Sequence, residues 1–311
     1  MGKKLIALIS LLIIIAFIGY IVYDTVKYEK VSGDVAAVEK VQAVPDNWFI
    51  FDSIKIADGR LHAVAVDNDG NIFTGGENFV SCYNQDLSKK WTSGLPAAVT
   101  ALAVKGDTIL VAATEVIYLL NMEGSVLAEW GPFESNSLIT SVSGHRNKIA
   151  FADAGNKRVF VLNEDGIVIA MIGQSDNNLI IPSPYFDVAL TGSGNLYLAN
   201  TGHRRIEKWS DGGTYISQFG EPGTAPGAFC GCCNPAHFAV IPGGFVTAEK
   251  GINRIKILDT EGRFVEFVSS KNSFMPSIPL DVASSDGKTV YGANPRDGML
   301  YVFKRREEQV N

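Results

Sequence analysis

Past its first residues, the sequence has no window with the sustained apolar stripe of a helix, and no low-complexity tract. The first absence argues against a helical domain. Positive charge is also short: 27 Lys and Arg stand against 33 Asp and Glu, a net charge of −6. Nucleic acid, whose phosphates require a basic face, is therefore not an expected partner. There is no glycine-rich phosphate loop, no Gly-x-Ser-x-Gly elbow and no His-Glu-x-x-His helix, so none of these routes to catalysis has support. Only four cysteines are present. None forms a Cys-x-x-Cys-His haem motif, and their spacing is neither iron–sulfur nor zinc-finger. What remains is a chain with Gly and Pro spread at turn spacing, which suits an all-β protein.

The N-terminus is the exception. Met1-Gly2-Lys3-Lys4 precedes an uncharged run from Leu5 to Tyr23, close to the roughly 20 residues that cross a bilayer as a helix. Lys3 and Lys4 favour a cytoplasmic N-terminus, against a weaker opposing pull from Lys27 and Lys30. Residues 1–23 are thus expected to be a single-pass transmembrane signal-anchor, with the remainder on the extracytoplasmic side, periplasmic or extracellular. The competing reading is a cleaved leader ending at Val35-Ala36-Ala37, a site that lies far beyond the apolar run. No Cys sits near the end of the run, so a lipid-modified cysteine is not expected there. Residues 24–46 are polar and mixed in charge and read as a linker, with a short extra helix over Val31 to Val44 as the alternative.

From residue 47 to 311 the chain repeats itself. Ala63-Val64-Ala65-Val66-Asp67-Asn68-Asp69-Gly70-Asn71-Ile72-Phe73 recurs as Asp187-Val188-Ala189-Leu190-Thr191-Gly192-Ser193-Gly194-Asn195-Leu196-Tyr197. Each is a strand, a tight turn and a second strand. Degenerate copies start at Ala101, Ser141, His237 and Asp281, at spacings of roughly 38 to 50 residues, the length of a propeller blade. A third strand follows each copy, and a polar turn such as Asp259-Thr260-Glu261-Gly262 leads into a fourth. The sixth copy lacks a fourth strand, whereas Trp48 to Ile56 is a spare strand ahead of the first. The expected fold is all-β, a six-bladed β-propeller closed by its N-terminal strand and preceded by one transmembrane helix. Closure of this kind leaves no long open edge. A pair of β-sandwiches is the alternative, but it does not require the period.

Three copies share a sharper pattern: Ala199-Asn200-Thr201-Gly202-His203-Arg204-Arg205-Ile206, Glu249-Lys250-Gly251-Ile252-Asn253-Arg254-Ile255 and Asp153-Ala154-Gly155-Asn156-Lys157-Arg158-Val159. Together with Phe219-Gly220-Glu221-Pro222-Gly223 ahead of the fifth copy, this resembles the NHL-repeat propellers. The resemblance spans Trp48 to Arg306 and is sharp in the third to fifth blades. It implies the fold. It also implies a function among binding platforms and a few enzymes, such as the peptidylglycine amidating lyase. In that pattern the recurring Arg158, Arg205 and Arg254 are expected to pair with neighbouring blades or backbone; a basic ring for anions is the other reading.

In a propeller the first strand of each blade lines the channel. Strand starts and second-strand ends then share one rim, which places Asp153, Asp187, Asn200, His237, Glu249, Asp281 and Asn294 together. One reading is an asymmetric pocket for a polar ligand or a cation, with oxygen ligands suiting Ca²⁺ and His with carboxylates suiting Zn²⁺. The other is that these side chains cap strand ends and turns. Cys230-Gly231-Cys232-Cys233 sits in the connection that leads to His237. It admits a disulfide, a site for Zn or Cu built from Cys230, Cys232, Cys233 and His237, or a reactive thiol. Cys82 lies in a strand and is expected to be a small buried residue. The function expected is a membrane-anchored extracytoplasmic scaffold that binds a protein or small polar ligand at the His237 rim. The alternative is a metal-dependent or redox protein, lyase- or hydrolase-like, that uses the cysteine loop; an enzymatic role is left open.

Overall fold

The computed structural model describes residues 10–23, 47–173, 179–231, 233–270, 274–275 and 278–306. The chain divides into two compact units, Met1–Pro45 and Asp46–Asn311. In the first, residues 10–23 are helical and their large apolar side chains are exposed, from Leu11 to Tyr23. Among the described residues no helix is long and apolar enough to cross a membrane. The span expected from Leu5 to Tyr23 is therefore not shown: the described helix stops short of the ~20 residues a crossing requires. Residues 1–9 and the segment read as a linker lie outside the described residues.

The second unit is built from six four-stranded antiparallel sheets. Blade one holds β2–β5 (Leu61–Val66, Ile72–Gly76, Phe79–Tyr83, Lys89–Gly94). Blade two holds β6–β9 (Ala101–Lys105, Thr108–Ala113, Val116–Leu120, Val126–Trp130). Blade three holds β10–β13 (Ile139–His145, Lys148–Asp153, Arg158–Leu162, Val168–Ile172). Blade four holds β14–β17 (Val188–Leu190, Asn195–Asn200, Arg205–Ser210, Tyr215–Phe219). Blade five holds β18–β21 (His237–Ile241, Gly244–Ala248, Ile255–Asp259, Phe264–Ser269). Blade six takes β22–β24 (Asp281–Ala283, Thr289–Asn294, Met299–Arg305) from the C-terminal end of the chain, and its outer strand is β1 (Trp48–Lys55). The pairing runs from Trp48 with Arg305 to Lys55 with Met299. The expected closure by the strand after residue 47 is present, and Trp48 is buried in the core between blades five and six.

The apolar core is not central. It forms six clusters, each packed between two neighbouring blades, so every blade buries both faces. The turns that lead into the fourth strands help to set the blade spacing. Gly124, Gly166 and Gly262 hold φ near +84°, +78° and +80°, a region that side chains with a Cβ rarely adopt. At each, an added Cβ would strike an aromatic ring of the preceding blade, respectively Trp91, Trp130 and Phe219. The repeated glycine thus serves both the turn and the joint between blades.

Pairing fixes which residues share a rim. His237 pairs with Ala248, Ala248 with Ile255, and Ile255 with Ser269, so all four lie at one end of blade five. Inner strands β2 and β10 begin two residues earlier than the repeat suggests, at Leu61 and Ile139, because each carries a register shift before Ala63 and Ser141.

Candidate functional site

The inner strands enclose a channel cavity of about 230 Å³ whose lining includes Ser141, Ser143, Asp187, His237 and Asp281. At the end where these strands start, three ionisable groups from three successive blades converge. His237 Nδ1 is 3.5 Å from Asp187 Oδ2 and 3.6 Å from Asp281 Oδ1. Burial opposes a charge on the imidazole. The Asp187 carboxylate, through charge and a hydrogen bond, and Asp281, through charge, outweigh it and push His237 up to about 9. At neutral pH the ring is an imidazolium. Burial pushes Asp281 up to about 6; His237 opposes that shift and Asp187 adds to it.

These residues also join the blades. The Phe238 N–H, on blade five, donates to Asp187 Oδ2 of blade four at 2.9 Å. The Val64 N–H, on blade one, donates to Asp281 Oδ2 of blade six at 2.8 Å. The Val188 N–H donates to Ser141 Oγ of blade three at 3.1 Å. In each case the acceptor stands at the repeat's starting position, and the donor is one residue past the start in the following blade. Blades one and two have Ala63 and Ala101 at that position and provide no side-chain acceptor. Blade five has His237, so the Val282 N–H turns instead to its neighbour Asp281 Oδ1 at 3.0 Å. The imidazole thus breaks the pattern and is held by the carboxylates on either side of it.

The other four residues expected at the rim do not join this group. Asp153 is fully buried and accepts from Ser137 Oγ, the Leu138 N–H and Asn156 Nδ2 at 2.8–2.9 Å. Asn200 donates to Glu207 Oε1 and accepts from the Ile180 N–H. Asn294 donates to Asp297 Oδ2 and accepts from the Arg296 N–H. Glu249 is buried in an ion-pair cluster with Arg254 Nε at 2.7 Å and Lys256 Nζ at 3.1 Å. Of the seven residues expected at the rim, the structure brings Asp187, His237 and Asp281 together, and the other four are engaged with their own turns and connections. Residues at second-strand ends face turns and connections, where their polar atoms satisfy backbone amides.

The Glu249 cluster holds the connection ahead of blade five. Arg254 donates to the carbonyls of Thr224, Ala225 and Ala228, and Lys256 to those of Pro226 and Ala228. The Cys230 N–H donates to Glu249 Oε2 at 3.1 Å. Burial brings Lys256 down to about 8 even though Glu249 favours its charge. Arg158 pairs with Glu134 in the preceding connection and Arg205 with Glu207 on its own strand. The recurring arginines therefore pair with carboxylates and connections instead of forming a ring.

Cys230 is half-buried and Cys233 buried, while Cys232 lies outside the described residues. Among the described residues no group of three or more His, Cys, Asp or Glu side chains is placed to hold a metal ion. Cys82 is buried between blades one and two, and burial pushes its thiol up to about 11.

Two residues absent from the sequence-based set flank the site. The Tyr185 ring meets the His237 ring edge-on, centroids 5.6 Å apart. The Lys250 ammonium lies 4.8 Å from the centroid of the Tyr185 ring. The Lys250 backbone is clamped by Asn234, which accepts from its N–H at 2.9 Å and donates to its carbonyl at 2.8 Å. Burial raises the Tyr185 phenol, and Cys233 adds to the shift. Their one signal in the sequence is adjacency: Tyr185 precedes Asp187 by two positions, and Lys250 follows Glu249.

Fold and site together define a six-bladed β-propeller with a charged mouth at one end of its channel. No family model matches the chain, and no curated protein does. Solved structures do match. The virginiamycin B lyase of Staphylococcus aureus superposes with a TM-score of 0.59 at 14% identity, over 83% of this chain and 99% of the lyase. The WD40 β-propeller domain of Doa1 gives 0.57 at 14% identity, over 80% of this chain and 79% of that one. A Bacteroides thetaiotaomicron protein of unknown function gives 0.61 at 14% identity, over 81% and 72%. At such identities the likeness shows the propeller fold alone.

Proposed function

We propose that this chain is a membrane-anchored, extracytoplasmic binding module of the NHL-repeat type, which engages a protein or a small polar ligand at the His237 rim. One observation carries the reading: side chains from blades four, five and six converge at one mouth of the channel, with Tyr185 and Lys250 beside them. The NHL character is supported by Arg158 and Arg254, which reach back to the connections ahead of their blades. Anchoring is supported by the uncharged run from Leu5 to Tyr23, and the orientation by Lys3 and Lys4 before it. Scaffolds and enzymes share this fold among the neighbours, so the site and not the fold decides.

The test compares the full chain in detergent with two variants. One carries His237→Gln and Lys250→Gln; the other carries Arg146→Ala and Lys148→Ala in the turn at the opposite end of the channel. Native mass spectrometry and affinity capture read what stays bound, and thermal unfolding confirms that each variant folds. The rim variant is expected to lose a bound species that the opposite-end variant keeps. Identical retention by all three sinks the reading. Anchoring has its own check: the full chain is expected to resist alkaline carbonate extraction from membranes, and deletion of residues 1–23 to release it. A full chain that washes off in carbonate contradicts the anchor.

A second reading, a redox or metal-dependent protein using Cys230, Cys232, Cys233 and His237, is favoured by the closeness of Cys233 to Tyr185 beside His237. Zinc or copper that is stoichiometric and lost in His237→Ala and Cys232→Ser would move the function to that loop. Against it, an imidazolium at Nδ1 must lose its proton before it can ligate a metal.

A further inference from the structure

The carboxylates that give the rim its acidic look are already engaged. Asp281 receives two backbone N–H groups, at 2.8 and 3.0 Å. Asp187 receives one at 2.9 Å, and the same oxygen faces His237. Two of these bonds tie one blade to the next. A cation drawn to either oxygen would compete with the amides that close the inner ring, and with the imidazolium between them. The groups without such commitments are donors. Among the described residues Lys250 has no carboxylate partner and contacts the Tyr185 ring through its ammonium. Neither the Tyr185 hydroxyl nor His237 Nε2 has a hydrogen-bond partner among them. The three side chains are consecutive in space, Lys250 on Tyr185 and Tyr185 on His237, and Asn234 fixes the backbone that carries the ammonium.

We propose that the His237 rim takes an anionic oxygen group, a carboxylate or a phosphate borne by the ligand, on the donors of Lys250, Tyr185 and His237. This rests on the reading of the rim as a binding site and gives the ligand its chemical class. Charge-assisted hydrogen bonds to such oxygens are shorter and roughly twice as strong as neutral ones. Repulsion from Asp187 and Asp281 is offset by the imidazolium and the three amides that already neutralise them.

The experiment uses the full chain in detergent micelles, with nitrogen-15 histidine. The chain has only four histidines, so the ring signals are few, and His237→Gln assigns the one of interest. Sodium acetate, inorganic phosphate and methylammonium chloride are titrated separately, with sodium chloride as the ionic-strength control. Acetate or phosphate is expected to move the His237 signal saturably, and the stronger of the two names the source chemistry. In Lys250→Gln the apparent affinity should fall about tenfold, the equivalent of about 1.4 kcal/mol. Movement with methylammonium alone would overturn the anion and keep the rim as a binding site. No movement beyond the chloride control would overturn the proposal, leaving the retention comparison above to judge the rim independently.

Discussion

Replacing Glu249 with alanine is expected to lower the unfolding free energy by about 3–5 kcal/mol, because the change leaves buried cations without their anion. The Arg254 and Lys256 side chains are 5% and 0% exposed, and both point at Glu249. Together they hold the connection from Thr224 to Ala228 by its carbonyls. Glu249→Gln keeps the shape but not the charge, and belongs with alanine rather than with wild type. Lys256→Met should behave differently. It removes the group whose charge burial opposes and leaves the Arg254–Glu249 pair intact, so the expected loss is about 1 kcal/mol, mainly the Lys256 hydrogen bonds to carbonyls. Urea unfolding of the variants reads both. Equal losses for Glu249→Ala and Lys256→Met would mean that the cluster is a set of ordinary hydrogen bonds and not a buried charge balance.

The second large effect is a pH dependence. His237 titrates at about 9 in the fold against an ordinary 6.5. Its folded-state pKa is raised, so its contribution is fully present below about pH 6.5 and fades as the pH rises through 9. The size is on the order of 3 kcal/mol over the whole window, of which about 2 kcal/mol falls between pH 6.5 and 8. Two other groups bound that window. Asp281, raised to about 6, also contributes stability at low pH and has lost it by the time His237 begins to titrate. Lys256, lowered to about 8, works in the opposite sense, with stability rising from about pH 8 to 10.5 as the unfolded chain holds the extra proton. The range from 6.5 to 8 therefore isolates His237. Wild type should lose stability across it and His237→Gln should not. A wild type that stays flat from 6.5 to 8 would show that the imidazole is not held between charged carboxylates.

The fold was legible because a propeller writes its period into the chain. Turn residues repeat at blade spacing, and the spare strand at Trp48 had one place to go once β24 lacked a partner. The rim was legible in part, for a geometric reason. Strand starts and second-strand ends do share one end of the sheet, as the alignment requires. Sharing an end is not sharing a direction, however. Asp187, His237 and Asp281 sit at or just before the starts of inner strands and meet at the channel. Glu249, Asn200, Asp153 and Asn294 lie at or just past the ends of second strands and turn toward loops. The repeat tells strand starts from second-strand ends, but it does not give the direction in which each side chain turns. Tyr185 was missed because it lies in an irregular segment outside the repeat, where no other copy has a matching position; Lys250 lies within the repeat, but the other sharp copies have Thr201 and Ala154 there, so the position shows no shared chemistry. The carboxylates suggested a cation because two of the three amides they serve belong to other blades: the Val64 and Phe238 N–H groups lie 217 and 51 residues from Asp281 and Asp187.

Asp187 and Asp281 hold His237 as an imidazolium at the mouth of the channel. The most direct test is a pH titration of its ring nitrogens by nitrogen-15 NMR on the full chain. Both nitrogens are expected to be protonated at pH 7.5, with a midpoint near 9 that falls in Asp187→Asn and Asp281→Asn. A neutral ring at pH 7.5, with a midpoint near the ordinary 6.5 that neither substitution moves, would contradict this.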